Sequence, residues 1–501
     1  MKASFKTMWL LSLGILMVVA AGCNDTLRQF IVPVPSPSGD PGALAHAITL
    51  STNPVTDAPG SDMHIDVSGD SSVGIVPLGV NPVFLGKTSN RVFIIDKGNA
   101  AIPPTVSAYI ALLPTSTVST VTLPSTGVDA ALNPVAGTTS SSGNIYIANF
   151  DSHNVSVISG SVVAVTTTIP LPAGDTHPVM IAGNAANNKI FVVNQGSANV
   201  TEISTIDNTV IKDITVGSQP IWAVMSTDGL FVFVVNQGDG TVSVIDTSLD
   251  IVLPCAPGPS CIGGNAIKVG TTATPSPNFA FYDPKLKRVY VSNTGEPSVT
   301  VIKGNGFDLG SNPQVLPAKI ADISPLSGLP TSITALSDGT KAYAALGNCP
   351  AGVNHLTLPD PASASNASHC SGNLVSVIDV VGLRETGTIP VGAGAISVDA
   401  SSDASRVFAI SANDITTVRD DVVPGALPDR TFPTPSISII RTTTNSVLAT
   451  PVDPSIVNRP LPTFHVPQQN PGCVPRIDPS FNSHVPLPCP LQTPFTVRIF
   501  P

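Results

Sequence analysis

The sequence predicts an all-β chain folded as a single β-propeller of about seven four-stranded blades, and three observations carry that prediction. Short runs of Val, Ile, Phe and Tyr recur along the chain, each behind a proline: Pro82, Pro134, Pro178 and Pro220 are 52, 44 and 42 residues apart. Turn residues such as Asn194-Gln-Gly196, Asn236-Gln-Gly238 and Asp239-Gly240 separate the runs, so strands reverse tightly. Charged residues make up only 11% of the 501, against about 25% in an ordinary soluble chain, while apolar residues reach 42%. Four short strands per ~40–50 residues is the blade of a propeller, and stacking blades about one axis buries faces that a lone blade exposes.

The elements follow in chain order. Lys2 and Lys6 form a short positive region ahead of an apolar run, Met8 to Ala21, which has signal-peptide length and is too short to span a bilayer. The run ends in Val19-Ala-Ala-Gly-Cys23, which resembles a bacterial lipobox. That resemblance implies removal of residues 1–22 and acylation of the Cys23 thiol, with Ala20 standing where a leucine is usual. Asn24, rather than an aspartate, follows the cysteine, and this favours the outer membrane over retention in the inner one. The expected partner of this end is therefore the membrane, through its acyl chains. Residues 23–62, rich in Pro, Ser, Gly and Ala, read as a flexible tether.

The propeller is placed at 63–450. His64 to Gly79 is expected to pair with the last blade and close the ring. Seven copies of one phrase follow, in which a second strand is succeeded by a third. They include Gly143-Asn-Ile-Tyr-Ile-Ala-Asn149 with Asn154-Val-Ser-Val-Ile158, Lys189-Ile-Phe-Val-Val-Asn194 with Asn199-Val-Thr-Glu-Ile203, and Leu230-Phe-Val-Phe-Val-Val-Asn236 with Thr241-Val-Ser-Val-Ile-Asp246. Arg91, Arg288, Lys341 and Arg406 open the others, the last being the weakest. Outer strands end in phrases such as Ile214-Thr-Val-Gly217 and Ile389-Pro-Val-Gly392. This pattern resembles the YVTN family of β-propeller repeats of bacterial and archaeal surface proteins. The resemblance implies a fold and, because propellers host many activities, no particular chemistry. Residues 451–501 are Pro-rich and are expected to pack on the outside of the ring.

Seven cysteines leave six once Cys23 is acylated, and these fall into three neighbouring pairs. Cys255–Cys261, Cys349–Cys370 and Cys473–Cys489 are the natural choice among fifteen connectivities, and they suit an oxidising envelope. The formal charge is −10, and there is no cluster of Lys and Arg to neutralise phosphates, so nucleic acid is not an expected partner.

Candidate site residues are few. His153 and His177 lie in loops one blade apart and either converge at the rim or merely cap turns; no third residue completes a metal site, and no metal or cofactor is expected. Asn149, Asn194, Asn236 and Asn293 end their second strands and present either a polar ring or backbone caps. Asp246 and Asp379 end third strands and read as caps. No catalytic motif is present. Two insertions, Leu253–Asn265 and Leu346–Asn373, each carry a cysteine pair and are either binding loops or decoration. The sequence thus favours a cell-envelope binding scaffold for a protein or glycan over an enzyme. The alternative is a lactonase-like propeller hydrolase with its site at the channel mouth, where some of His153, His177, Asp96, Glu202 and Glu296 would have to meet.

Overall fold

A computed structural model of the chain describes residues 46–52, 59–67, 69–87, 91–99, 101–110, 117–124, 132–348, 371–411, 415–418, 430–433, 436–448 and 493–500. Every element in these segments is a strand or a turn, and the strands form eight antiparallel blades. Blade 1 runs outward through Pro82–Lys87, Arg91–Asp96, Thr105–Ile110 and Ser119–Thr122. The later blades begin with inner strands Pro134–Thr139, Pro178–Ala182, Pro220–Met225, Pro277–Asp283, Ser332–Ala335 and Ala395–Ala400. Each inner strand neighbours the next around the axis.

The count exceeds the seven expected, and the reason lies at the ends of the chain. His46–Thr52, Pro59–Asp66 and Ser71–Val80 are the outer three strands of an eighth blade, whose inner strand is Thr493–Phe500. His46 pairs with Phe500, and Thr52 with Thr493. Part of the stretch assigned to a tether is therefore sheet, and part of the tail assigned to the outside is a hub strand. The segment 64–79 does close the ring, as a separate blade rather than as an addition to the last repeat.

Each of the first seven blades drives one aromatic side chain into the core from its second strand. These are Phe93, Tyr146, Phe191, Phe233, Tyr290, Tyr343 and Phe408, all fully buried. Period-2 alternation sends successive residues of a strand to opposite faces of the blade, so Tyr146, Ala148, Val155 and Val157 of blade 2 meet Ile190, Val192 and Ile203 of blade 3 in one cluster. Burying side chains of this size stabilises by roughly 1.5–3 kcal/mol each.

The two rims of the ring differ. Inner strands start, and second strands end, at what is here termed the proline face. Turns between inner and second strands, and between third and outer strands, form the opposite turn face. There a basic residue at the start of a second strand reaches the third-to-outer turn of the next blade. Lys189 Nζ meets Thr247 O at 2.9 Å and Asp250 Oδ1 at 2.5 Å, and Arg288 meets Val380 O at 2.6 Å. Lys341 Nζ meets Thr442 O at 2.7 Å and Asn445 Oδ1 at 3.0 Å. Arg406 grips Asp70 with two bonds, 2.7 and 3.0 Å, across the junction of blades 7 and 8.

Candidate functional site

The proline face is shaped by a kink at the start of six inner strands. The pairing register slips at Pro82, Pro134, Pro178, Pro220, Pro277 and Ala395. The preceding residues, Asn81, Asn133, His177, Gln219, Ser276 and Gly394, all have φ between 44° and 70°. Left-handed geometry is costly for a residue with a Cβ, and more so before proline. It is held here because the carbonyls of Asn81, Asn133, His177, Gln219 and Ser276 accept the N–H of the residue just past the end of the second strand, at 2.8–3.1 Å. The kink lifts side chains such as that of His177 onto the face.

His153 and His177 do come together there. Their ring centroids lie 5.5 Å apart, edge to face, and Phe150 stacks on His177 at 4.6 Å. His153 sits in the blade 2 loop between second and third strands, itself at φ 48°, and His177 is exposed at the entry to blade 3. Two further loops of the same type, in blades 6 and 7, are long: residues 347–373 and 412–435 both leave and re-enter the ring at the proline face. The second of these carries a hairpin, Ile415–Val418 with Arg430–Pro433.

The recurrent asparagines are turned inward. Asn149, Asn194, Asn236 and Asn293 are fully buried, and each side-chain amide donates to the first and third residues of its own third strand. The partners are Asn154 and Ser156, Asn199 and Thr201, Thr241 and Ser243, and Ser298 and Thr300, at 2.7–3.1 Å. They pin the second strand to the third; they do not ring the channel. Blade 1 keeps the motif with Asp96, which accepts from Thr105 and Ser107 at 3.1 and 2.7 Å.

Asp96, Glu202 and Glu296 do not approach the histidines. Glu202 is buried against Lys189 at 2.6 Å between blades 3 and 4, and burial pushes its carboxyl up despite the ammonium beside it. Glu296 accepts the N–H groups of Thr271 and Thr272 at 2.7 and 2.8 Å and the Ser298 hydroxyl at 2.5 Å. Among the described residues no three His, Cys, Asp or Glu side chains are placed to hold a metal.

A second polar cluster went unnoticed in the sequence. At the seam of blades 8 and 1, the Tyr109 hydroxyl donates to Asp62 and lies 2.8 Å from His64 Nε2, which is 3.7 Å from Asp62 Oδ1. All three are buried. Burial pushes the Asp62 carboxyl up to about 8, outweighing the Tyr109 bond and the Val76 backbone bond that favour its charged form, and nearby Asp96 adds to the rise. Burial likewise lifts Asp96 to about 7, against the bonds from Ser107 and Thr105. Burial and the adjacent Asp62 push the Tyr109 phenol up too. One signal was available: Tyr109 stands where blades 2–7 have Ile158, Ile203, Ile245, Ile302, Ile378 and Ile440.

Cys255 and Cys261 form the predicted disulfide, with Cα atoms 5.6 Å apart. Their loop divides the outer strand of blade 4: Ile251–Val252 pairs with one end of Thr241–Asp246, and Ala266–Lys268 with the other. It sits on the outer edge of the blade, and Ala256 N donates to Pro317 O of blade 5 at 2.8 Å. Cys349–Cys370 and Cys473–Cys489, as well as Cys23, lie outside the described residues.

No family model matches the chain, and no curated protein matches its sequence. Solved structures are similar in fold. Dihydro-haem d1 dehydrogenase NirN, in complex with DHE, is 10% identical over 80% of this chain and 72% of its own, with a TM-score of 0.53. A protein described as a putative 6-phosphogluconolactonase from Bacteroides uniformis is 16% identical over 71% of this chain and 99% of its own, with a TM-score of 0.47. A Lactobacillus plantarum protein is 14% identical over 71% of this chain and 98% of its own, at 0.48. At these identities the likeness is one of fold alone: this chain is a β-propeller.

Proposed function

We propose that the chain is an acyl-anchored binding scaffold of the bacterial cell envelope, the outer membrane favoured, which holds a protein or glycan partner on its proline face. The observation that carries this reading is the Phe150–His177–His153 ring stack, with His177 exposed and the other two half-buried, on the face from which the long loops 347–373 and 412–435 also spring. Stacked rings offer rigid contact area, the imidazoles supply donors and acceptors, and the loops extend the surface. The YVTN-like repeat supplies the frame, and acylated Cys23 would supply the anchor. In the lactonase-like alternative Asp96, Glu202 and Glu296 take no part, each being bonded elsewhere.

Two experiments test the reading. A photo-crosslinking residue at position 177 should capture a discrete envelope partner that the same residue at position 381, on the turn face, does not. Phe150→Ala with His153→Ala should abolish that capture. Identical capture from both positions, or lactone hydrolysis lost in His153→Ala, would sink the scaffold. For the anchor, metabolic labelling with a fatty-acid probe should mark the wild type and not Cys23→Ala; equal labelling refutes it.

A further inference from the structure

One repeat departs from the other six at a buried position. Opposite the core aromatic of the second strand, the third strand carries Ala108, Val157, Val244, Val301, Val377 and Ile439 in blades 1, 2 and 4–7, all buried. Blade 3 has Glu202 there, paired with Phe191 and just as buried. A carboxyl in an apolar slot is costly unless its surroundings compensate. Asp96 and Glu296, also buried, are surrounded by donors: Thr105 and Ser107 for the first, two backbone N–H groups and Ser298 for the second. Among the described residues no hydroxyl or backbone N–H bonds either oxygen of Glu202.

What Glu202 meets instead is the joint between blades 3 and 4. Lys189 Nζ lies 2.6 Å from Glu202 Oε1 and 2.5 Å from Asp250 Oδ1, and Thr247 O holds it from a third side at 2.9 Å. Burial raises the Glu202 carboxyl; Lys189 opposes that rise and Asp250 adds to it. Burial also opposes the charge on Lys189, but its bonds to Asp250 and Glu202 outweigh that, so the resting state is an ion pair. The hydrogen bond to Oδ1 brings the Asp250 carboxyl carbon to roughly 3–3.5 Å from Nζ, a near-attack separation. An amine, an acyl carbon and a buried acid that passes protons between them are the parts of an amide-forming centre. Two of the three stand on strands of blade 3, and Asp250 closes a four-residue turn of blade 4 in left-handed backbone at φ 58°.

We propose that Lys189 and Asp250 become joined by a side-chain amide bond that rivets blade 3 to blade 4, with Glu202 as the proton carrier. Glu202 gives its proton to the Asp250 carboxylate and takes one from the Lys189 ammonium. The freed amine attacks Asp250 Cγ, the Nζ–Cγ bond forms, and the bond from Cγ to one carboxyl oxygen breaks. That oxygen leaves as water with, in net, the two protons Nζ has given up, and Glu202 ends protonated as it began. Nothing is oxidised or reduced, and no co-reactant is needed. The other joints of the ring supply the contrast. Lys341 Nζ lies 3.0 Å from the amide oxygen of Asn445, but Val377 stands in the place of the acid there. Arg288 and Arg406 carry guanidinium groups that stay charged and cannot attack. The inference depends neither on the anchor nor on the partner of the proline face.

Peptide mapping of the full chain by mass spectrometry, after denaturation and reduction, tests the bond. The wild type should yield a branched peptide that contains residues 189 and 250 and is lighter than the sum of its two linear parts by one water. Asp250→Asn should give the same branch with ammonia lost instead. Lys189→Arg should leave both peptides linear. Glu202→Gln, which keeps the size of the acid, should slow the growth of the branched fraction after synthesis by roughly a hundredfold or more. Residues 341 and 445 should stay unjoined in every sample. Linear peptides alone in the wild type would mean an ion pair and nothing more, and would overturn the proposal even if every variant misfolded. A branch that forms as fast in Glu202→Gln, or forms equally between 341 and 445, would overturn the part assigned to the acid.

Discussion

Asp62 shows how one side chain can set the acid–base behaviour of a seam. Its folded carboxyl is raised to about 8 and that of Asp96 to about 7, whereas both titrate near 3.8 when exposed. Between about pH 4 and 8 the folded chain therefore holds protons that the unfolded chain has released, and linkage makes stability fall as pH rises through that window. Thermal unfolding should occur at lower temperature at pH 8.5 than at pH 5.5. Asp62→Asn, which keeps the shape of the protonated acid, should flatten that slope, and the two melting temperatures compared by calorimetry decide it. An unchanged slope in the variant would assign the protons to another group. The asparagines were legible in the sequence as a repeated residue type, and each is buried and bonded to its own third strand. The Asp62–His64–Tyr109 group was not, because its members come from segments 45 residues apart and only the ring brings them together.

At the scale of the element, the strands were read from alternation, and the first seven blades agree with it because their hydrophobic period and turn residues point the same way. Joints between blades were harder to see. Lys189, Arg288, Lys341 and Arg406 were visible as the starts of second strands, but their targets lie in the following blade, about 60 to 100 residues on, or for Arg406 336 residues back. Arg406 is the most consequential of these, since its two hydrogen bonds to Asp70 tie the last repeat to the N-terminal strands. Arg406→Ala should cost about 1–3 kcal/mol, as expected for a half-buried paired charge. Hydrogen exchange should rise first in 69–80, and faster exchange spread evenly over all blades would contradict a local joint. Cys255–Cys261 was legible because its partners are six residues apart, although its position on the outer edge was not.

The eighth blade escaped notice for a reason that belongs to the whole molecule. Its strands His46–Thr52, Pro59–Asp66 and Ser71–Val80 lack the repeated phrase, and the fourth lies at 493–500. No local pattern links segments more than 400 residues apart; only the need to cover an open edge does. Ala47, Ile48 and Leu50 are fully buried in the completed blade, so removing residues 493–501 should uncover them. The shortened chain should bind a hydrophobic dye and aggregate, while a version cut instead at 501 alone should behave as the full chain. A monomeric, dye-negative product of the larger cut would mean the ring closes without that strand.

The shared blade also governs the order of events as the chain is made. The three strands 46–80 emerge long before their hub partner at 493–500, so the circle stays unfinished until residues 493–500 have been added. A protein built this way matures in one late step, and whatever guards its exposed edge until then decides how much of it survives.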